Sequence, residues 1–195
     1  DLGKKLDIFD FEAGVKLAGS RSYILKKEGS ELEQAIMRFV FDFLVHERNF
    51  TPITVPVLVN EEAMEGTGYF PVGRDQAYLV ERDKMALVGT SEVPLCAMHS
   101  KEMLQAEKLP LRYLAQSTCF RREAGTYGKD TRGLYRVHQF QKIEMVIIAP
   151  ADKDLTDQLH EELVTNAEMI LSALELPYRK VELCAGDLGF SATKT

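Results

Sequence analysis

The clearest helical pattern in the chain begins near residue 30. Leu32, Ala35, Ile36, Phe39, Val40, Phe43 and Leu44 recur at helical spacing, and Ser30 followed by Glu33 predicts a capping box at the helix start. Met37, Phe41 and Val45 form a second apolar row, leaving a narrow polar strip at Gln34, Arg38 and Asp42. A helix that is apolar on most sides must be covered on most sides. It is therefore a central core helix, or one held between its own sheet and a partner subunit. A second helix is predicted over Asp152–Leu174, where Leu155, Leu159, Leu163, Ala167, Ile170, Leu171 and Leu174 share one side. Pro177 closes it, and Tyr178 to Cys184 reads as a returning strand.

Between these helices the pattern changes to strands and turns. Residues 50–59, FTPITVPVLV, read as a strand that Pro52 and Pro56 restrict to an edge or an interface. Leu79 to Val88 reads as a strand pair. TSEVPLCAMHSKEML, residues 90–104, reads as a turn into a helix capped by Thr90 or Ser91, with Pro94 in its first turn. Residues 112–148 read as a hairpin whose connection runs from Ala124 to Leu134. The stretch 1–29, with Gly14, Gly19 and Gly29, reads as loop and short helix. Hairpin-joined strands with covering helices imply an α+β fold, an antiparallel sheet flanked by helices, in a single domain over residues 1–195.

Composition narrows the class. The 195 residues are 45% apolar and 28% charged, enough for one buried core, and the net charge of -6 offers no global basic field for coating a nucleic acid. A local basic loop remains compatible with touching one. Cys96, Cys119 and Cys184 are odd in number and widely spaced, which suits reduced thiols in a cytoplasmic protein better than a disulfide frame or a zinc site. No apolar run is long enough for a membrane-spanning helix. Gly66-Thr-Gly68 opens a glycine-bearing loop, GTGYFPVGRD, but the next glycine is Gly73 and no strand–helix frame surrounds it, so a loop over a pocket fits better than a dinucleotide site.

The chemistry concentrates in CFRREAGTYGKDTRGLYRVHQFQKIE, residues 119–144. Strand side chains alternate. On paired strands Arg121 and Glu123 would share one side, as would Arg136, His138, Phe140, Lys142 and Glu144, with Val137, Gln139, Gln141, Ile143 and Met145 opposite. The guanidinium of Arg121 suits phosphate or carboxylate oxygens; its alternative is a salt bridge to Glu123 or Glu144. Phe140 stands among charges, where a ring gains most by stacking under a flat partner, worth roughly 1–3 kcal/mol with a nucleobase; its alternative is the stem of Lys142 or Arg136. Glu144 lies about 13 Å further along the face at strand rise. The loop with Gly125, Gly128, Gly133, Lys129 and Arg132 is able to fold over phosphates or reach a nucleic-acid end, or is a solvated tip. Thr90 and Glu92 read equally as a helix cap.

FRREAG and RGLYRVHQFQKIE together resemble motif 2 of class II aminoacyl-tRNA synthetases, and most narrowly that of the seryl-tRNA synthetases. TSEVPL is similar to that family's serine-recognition segment (residues 90–95), GTGYFP to the loop before it, and the helix from Ser30 with VPVLV to motif 1 (about 30–59). DLGFSATKT matches the segment leading towards the rest of the catalytic domain, and motif 2 spans about 113–148. No class I signature is present. The resemblance implies that Arg121 is the catalytic residue, gripping the ATP α-phosphate and the substrate carboxylate. It implies ATP binding by Arg121, Arg122, Glu123, Arg136, Val137, His138, Gln139 and Phe140, with adenine over Phe140 and outer phosphates near Arg136. It further implies L-serine binding by Thr90, Ser91, Glu92, Arg121 and Glu144, a homodimer with Pro56 at its interface, tRNA(Ser) as acceptor, a cytoplasmic location and no membrane partner.

The chain departs from the family pattern in two ways. No heptads precede Ser30 where the family carries a tRNA-reaching coiled-coil arm. Beyond Thr195 the family places its Mg²⁺ ligands, further serine contacts and the motif 3 arginine, so both ends are expected to be cut from something longer and the piece alone to have little or no adenylation activity. Asn49 stands where motif 1 usually has glycine. Two other readings remain open: an arm-less ligase loading a small amino acid onto a carrier protein, and a non-catalytic dimeric paralogue.

Overall fold

The structure, a computed structural model, describes residues 2–125, 133–189 and 191–195. Gly128, Lys129 and Arg132 of the connecting loop, and Phe190, lie outside the described residues. The chain divides into two compact units, Asp1–Pro150 and Ala151–Thr195, where the pattern predicts one domain.

The first unit opens with helix α1 (Leu2–Lys5) and a small antiparallel pair, β1 (Phe9–Asp10) with β2 (Ile24–Leu25), around helix α2 (Phe11–Ala18). Asp10 caps α2 by accepting from Ala13 N–H at 2.9 Å. Gly19 ends it at φ 79. Helix α3 runs Glu28–Asp42 and passes into a π-helical turn, Phe43–Glu47.

The capping box predicted at Ser30 does not form. The helix starts earlier, after Lys27, without a side-chain cap. Gly29 is buried against Ile8, whose carbonyl would lie 2.7 Å from an added Cβ, so the first turn is fixed by close packing and Ser30 is already inside it. Glu28 and Glu31 face the positive end of the helix dipole instead. Leu32, Ile36 and Phe39 stay exposed on α3.

The strand predicted over 50–59 is two short strands in different sheets. β3 (Thr51–Pro52) pairs parallel with β7 (Leu111–Phe120), and β4 (Leu58–Asn60) pairs antiparallel with β6 (Met85–Leu87). The break follows from proline, which donates no ladder hydrogen bond: Pro56 lies exposed between them. β5 (Tyr78–Val80) completes the order β4-β6-β5, confirming the strand pair predicted there. Helix α4 (Glu61–Gly66) is capped by Asn60, and its Met64 is fully buried with Val59, Phe70, Ala86, Val88 and Val93.

The second sheet has the order β3-β7-β8, with β8 (Gln139–Ile148) antiparallel to β7. Regular pairing ends at Phe120↔Gln139. Arg121, Glu123, Arg136 and His138 thus lie beyond the strands rather than on them; one further rung joins Arg121 N–H to the His138 carbonyl at 3.0 Å, and the chain then turns away at Glu123, φ 53. Leu95, Ala115 and Val146 form a core against one face, with Ile53, Val55, Tyr113 and Ile148. Leu95 comes from helix α5 (Glu92–Ala97), which packs against β8.

In the second unit helix α6 (Lys153–Ala173) is capped by Asp152, which accepts from Leu155 N–H at 2.9 Å. The strand predicted at Tyr178–Cys184 is absent: an extended apolar alternation becomes a strand only with a ladder partner, and among the described residues no ladder forms there, although the Leu183 N–H donates to the Thr195 carbonyl at 2.9 Å.

Candidate active site

One face of the hairpin carries Ala115, Ser117 and Cys119 from β7 opposite Glu144, Lys142 and Phe140 from β8. The direct pairing sets small side chains beside long charged or aromatic ones. The loop before α5 closes one end. Thr90 is buried, donates to Glu144 Oε2 at 2.6 Å and accepts from Lys142 Nζ at 3.0 Å, while Lys142 also ion-pairs with Glu144. Thr90 Oγ1 additionally accepts from Glu92 N–H at 3.3 Å. Thr90 thereby joins the Glu144 side chain and the Glu92 backbone. Ser91 is not on the open side: it is fully buried and its hydroxyl bonds that of Ser117, pinning the loop to β7.

At the other end, the Arg121 guanidinium lies over the Phe140 ring, 5.2 Å from its centroid, and donates to the Gly89 carbonyl at 3.3 Å. Its predicted alternative does not hold. Glu144 is engaged by Thr90 and Lys142, and Glu123 pairs with Arg136 at 3.1 Å across the hairpin mouth. A cation–π contact with Arg121 occupies one face of the Phe140 ring. His138 Nδ1 is 3.0 Å from the Arg121 carbonyl. Val137 is buried, Arg122 and Arg136 are exposed, and Gln139 points to the opposite face of the hairpin from Phe140.

Gln76, Gly89 and Lys142, to which the motif reading assigned no site role, hold this frame. Gln76 donates its side-chain amide to the Ala124 carbonyl at 2.9 Å and accepts from Ala124 N–H at 3.2 Å, while its backbone carbonyl accepts from Arg122 N–H at 2.8 Å. This strap sets the exit of the Arg121–Glu123 segment. Tyr69 stands against Gly89 so closely that a Cβ there would collide with its hydroxyl; burial pushes the Tyr69 phenol up, with the Arg121 charge opposing. The signal for Gly89 was its place immediately before Thr90. Lys142 is the third, visible in the alternation yet given no role.

The electrostatics are those of a crowded anionic pocket. Burial, then the nearby Glu144 charge, raises Glu92 above the ordinary carboxyl range, and Lys142 opposes the shift. Burial pushes the Cys96 thiol up to about 11, helped by Glu92 and Glu144. Burial also raises the Cys119 thiol, with Ser117, Lys142 and Arg121 opposing. Among the described residues no three His, Cys, Asp or Glu side chains gather to hold a metal ion, and no helix is long and apolar enough to cross a membrane.

An arginine over an aromatic ring at one end and carboxylates at the other make up the face, and sequence comparison gives its family. Residues 78–195 match the tRNA synthetase class II core domain (G, H, P, S and T). The chain belongs to that family. Among curated proteins it is similar to serine–tRNA ligases, 48% identical over all 195 residues to those of Thermosipho africanus and of Fusobacterium nucleatum. It covers 45% and 46% of those proteins, so it spans about half the length of the relatives it matches. Among solved structures it resembles the seryl-tRNA synthetase of Pyrococcus horikoshii complexed with ATP, with TM-score 0.94 and 42% identity over 100% of this chain and 43% of that one. The cytoplasmic serine–tRNA ligase of Naegleria fowleri in complex with AMP matches with TM-score 0.93 and 32% identity, over 98% of this chain and 44% of that one.

Proposed function

We propose that this chain forms the floor of a site that activates L-serine with ATP and, in the protein at its full natural length, charges tRNA(Ser). The observation that carries the reading is the split of one hairpin face into an Arg121–Phe140 end and a Thr90–Glu92–Glu144 end. Adenine stacks on Phe140, with Val137, His138 and Gln139 forming the adjoining backbone. Arg121 grips the α-phosphate and the serine carboxylate. Arg122, Glu123 and Arg136 stand at the nucleotide side, and Thr90, the Ser91 backbone, Glu92 and Glu144 receive the amino acid. The solved relatives bound to ATP and AMP support the nucleotide assignment.

In the first step a serine carboxylate oxygen bonds to the α-phosphorus, the bond to the bridging oxygen breaks and pyrophosphate leaves. The carboxylate is already a nucleophile, so no general base is needed, and alignment of the two reactants is worth up to about 7–11 kcal/mol of barrier. Arg121 adds charge stabilisation at the phosphate. In the second step a terminal ribose hydroxyl of the tRNA attacks the acyl carbon and AMP leaves. Mg²⁺ would shield the phosphates; the described residues gather no ligand set for it. The exposed Leu32, Ile36 and Phe39 on α3 and the exposed Pro56 support a homodimer, and the cytoplasm is the compartment that fits protein synthesis.

The test is serine-dependent exchange of pyrophosphate into ATP by the full-length protein, with glycine and alanine as competitors. Exchange driven by serine and little affected by either competitor is expected; exchange indifferent to serine sinks the assignment.

A further inference from the structure

Lys142 occupies a place that the site does not explain. Alternation sets it between Phe140 and Glu144 on the same face, and its ammonium reaches back to Thr90 Oγ1 at 3.0 Å and to the Glu144 carboxylate. Thr90 donates to the same Glu144 oxygen, Oε2. Three groups thus close on one point: a hydroxyl, a carboxylate and a resident ammonium. A substrate amino group bound by Thr90 and Glu144 would need that oxygen too. Facing the cluster are Glu92 and Cys96 on α5, Cys119 on β7 and Arg121 beyond it. Arg121 is committed towards Phe140 and Gly89, which leaves Lys142 as the cation beside the two carboxylates among the described residues.

We propose that Lys142 is a positioning residue, the internal counter-cation of the amino-acid pocket, which holds Glu144 and Thr90 in register while the pocket is empty and yields that oxygen to the substrate ammonium when it fills. The inference rests on the serine-activating reading and deepens it. Two neighbouring carboxylates without a cation would repel, and the cheapest relief is for one to take up a proton, which removes the charge that a substrate ammonium needs. Lys142 prevents this, consistent with its opposing effect on the rise of Glu92. A cation tied to a flexible four-carbon stem is able to withdraw without leaving the site.

The experiment compares the full-length parent with Lys142→Met and Lys142→Arg in pyrophosphate exchange across pH. In Lys142→Met the KM for serine is expected to rise about tenfold with the KM for ATP unchanged, and the acid limb of kcat/KM for serine to move up by about one pH unit as Glu92 protonates earlier. Lys142→Arg keeps the charge and restores the acid limb. A lysine that merely packs would depress exchange evenly at all pH. Three results overturn the inference: an acid limb in Lys142→Met that matches the parent, a serine KM that does not move, or an arginine variant that tracks the methionine one. A parent that fails to exchange with serine overturns the functional reading instead, so the two failures are distinguishable.

Discussion

The two faces of the β7–β8 hairpin use the same backbone for opposite ends. One presents Leu114, Gln116, Thr118 and Phe120 opposite Met145, Ile143, Gln141 and Gln139. Its side-chain polar contact is neutral and half-buried, Gln141 Nε2 donating to Thr118 Oγ1 at 3.1 Å, and it looks towards α3, whose Glu33 and Phe41 stand beside Gln139 and Gln141. The other face puts Lys142, Glu144 and Phe140 over Ala115, Ser117 and Cys119. Nothing about strand pairing requires charges there. A neutral amide–hydroxyl bond is a cheap way to satisfy a covered sheet, whereas two carboxylates partly removed from water cost stability unless something completes them. The face towards α3 is held by neutral contacts, with Gln116 and Gln139 open to solvent; the other carries the Leu95–Ala115–Val146 core and, beyond it, charges that make sense with a ligand on them.

The largest expected effect tests that division directly. Arg121→Ala removes the guanidinium over Phe140 and should lower serine-dependent exchange on the order of 10³-fold, about 4 kcal/mol of barrier. Because the side chain is not core, the melting temperature should change little. Undiminished exchange would remove Arg121 from the phosphate role, and a large loss of stability would mean that the charged face is structural after all.

Leu114→Ala is the opposite manipulation. Leu114 is fully buried on the other face, and truncating it should cost about 2–5 kcal/mol in chemical denaturation, the range set by how far the site can collapse. Below the unfolding transition the KM values for serine and ATP should stay near those of the parent. If instead exchange falls with stability untouched, the two faces are coupled and their separation fails.

How far the hairpin could be read from sequence depends on where along it one looks. Inside the paired strands the period of two is enforced by the backbone, so Phe140, Lys142 and Glu144 were placed on one face correctly. Past Phe120 and Gln139 the ladder stops, and alternation no longer says where Arg121, Glu123 or Arg136 point. Their positions come from long-range contacts instead, the Gln76 strap and the Glu123–Arg136 pair, and a loop amide in GRDQAY carries no local sign of such a task. The capping box at Ser30 failed for a related reason: Gly29 packs on Ile8 from far earlier in the chain, and tertiary contact overrode a local signal. Asn49 is the reverse case. Its φ of 57 is left-handed, the conformation that glycine adopts freely and asparagine tolerates better than other side chains. The departure from the family's glycine is thus one the backbone accepts.

The smallest expected effect concerns the cost of the charged face. Glu92 is raised above its ordinary value of 4.5 by desolvation first and the Glu144 charge second, with Lys142 offsetting part. A carboxyl whose folded value is raised binds protons more readily folded than unfolded, so its contribution favours folding below the unfolded value and is lost as pH rises through the folded one. Glu92→Gln should therefore be indistinguishable from the parent near about pH 4, where both side chains are neutral, and slightly more stable near about pH 7. The residue as a whole is exposed although its carboxyl is partly desolvated, and solvent screening keeps the gain below about 1 kcal/mol. Thermal melts at the two pH values measure it, and serine KM on the same samples should rise as the stability does, since the charge being removed is the one the ligand uses. A variant that is less stable at pH 7 would show that Glu92 is already satisfied without a ligand, and the contrast between the two faces would then rest on Lys142 and Glu144 alone.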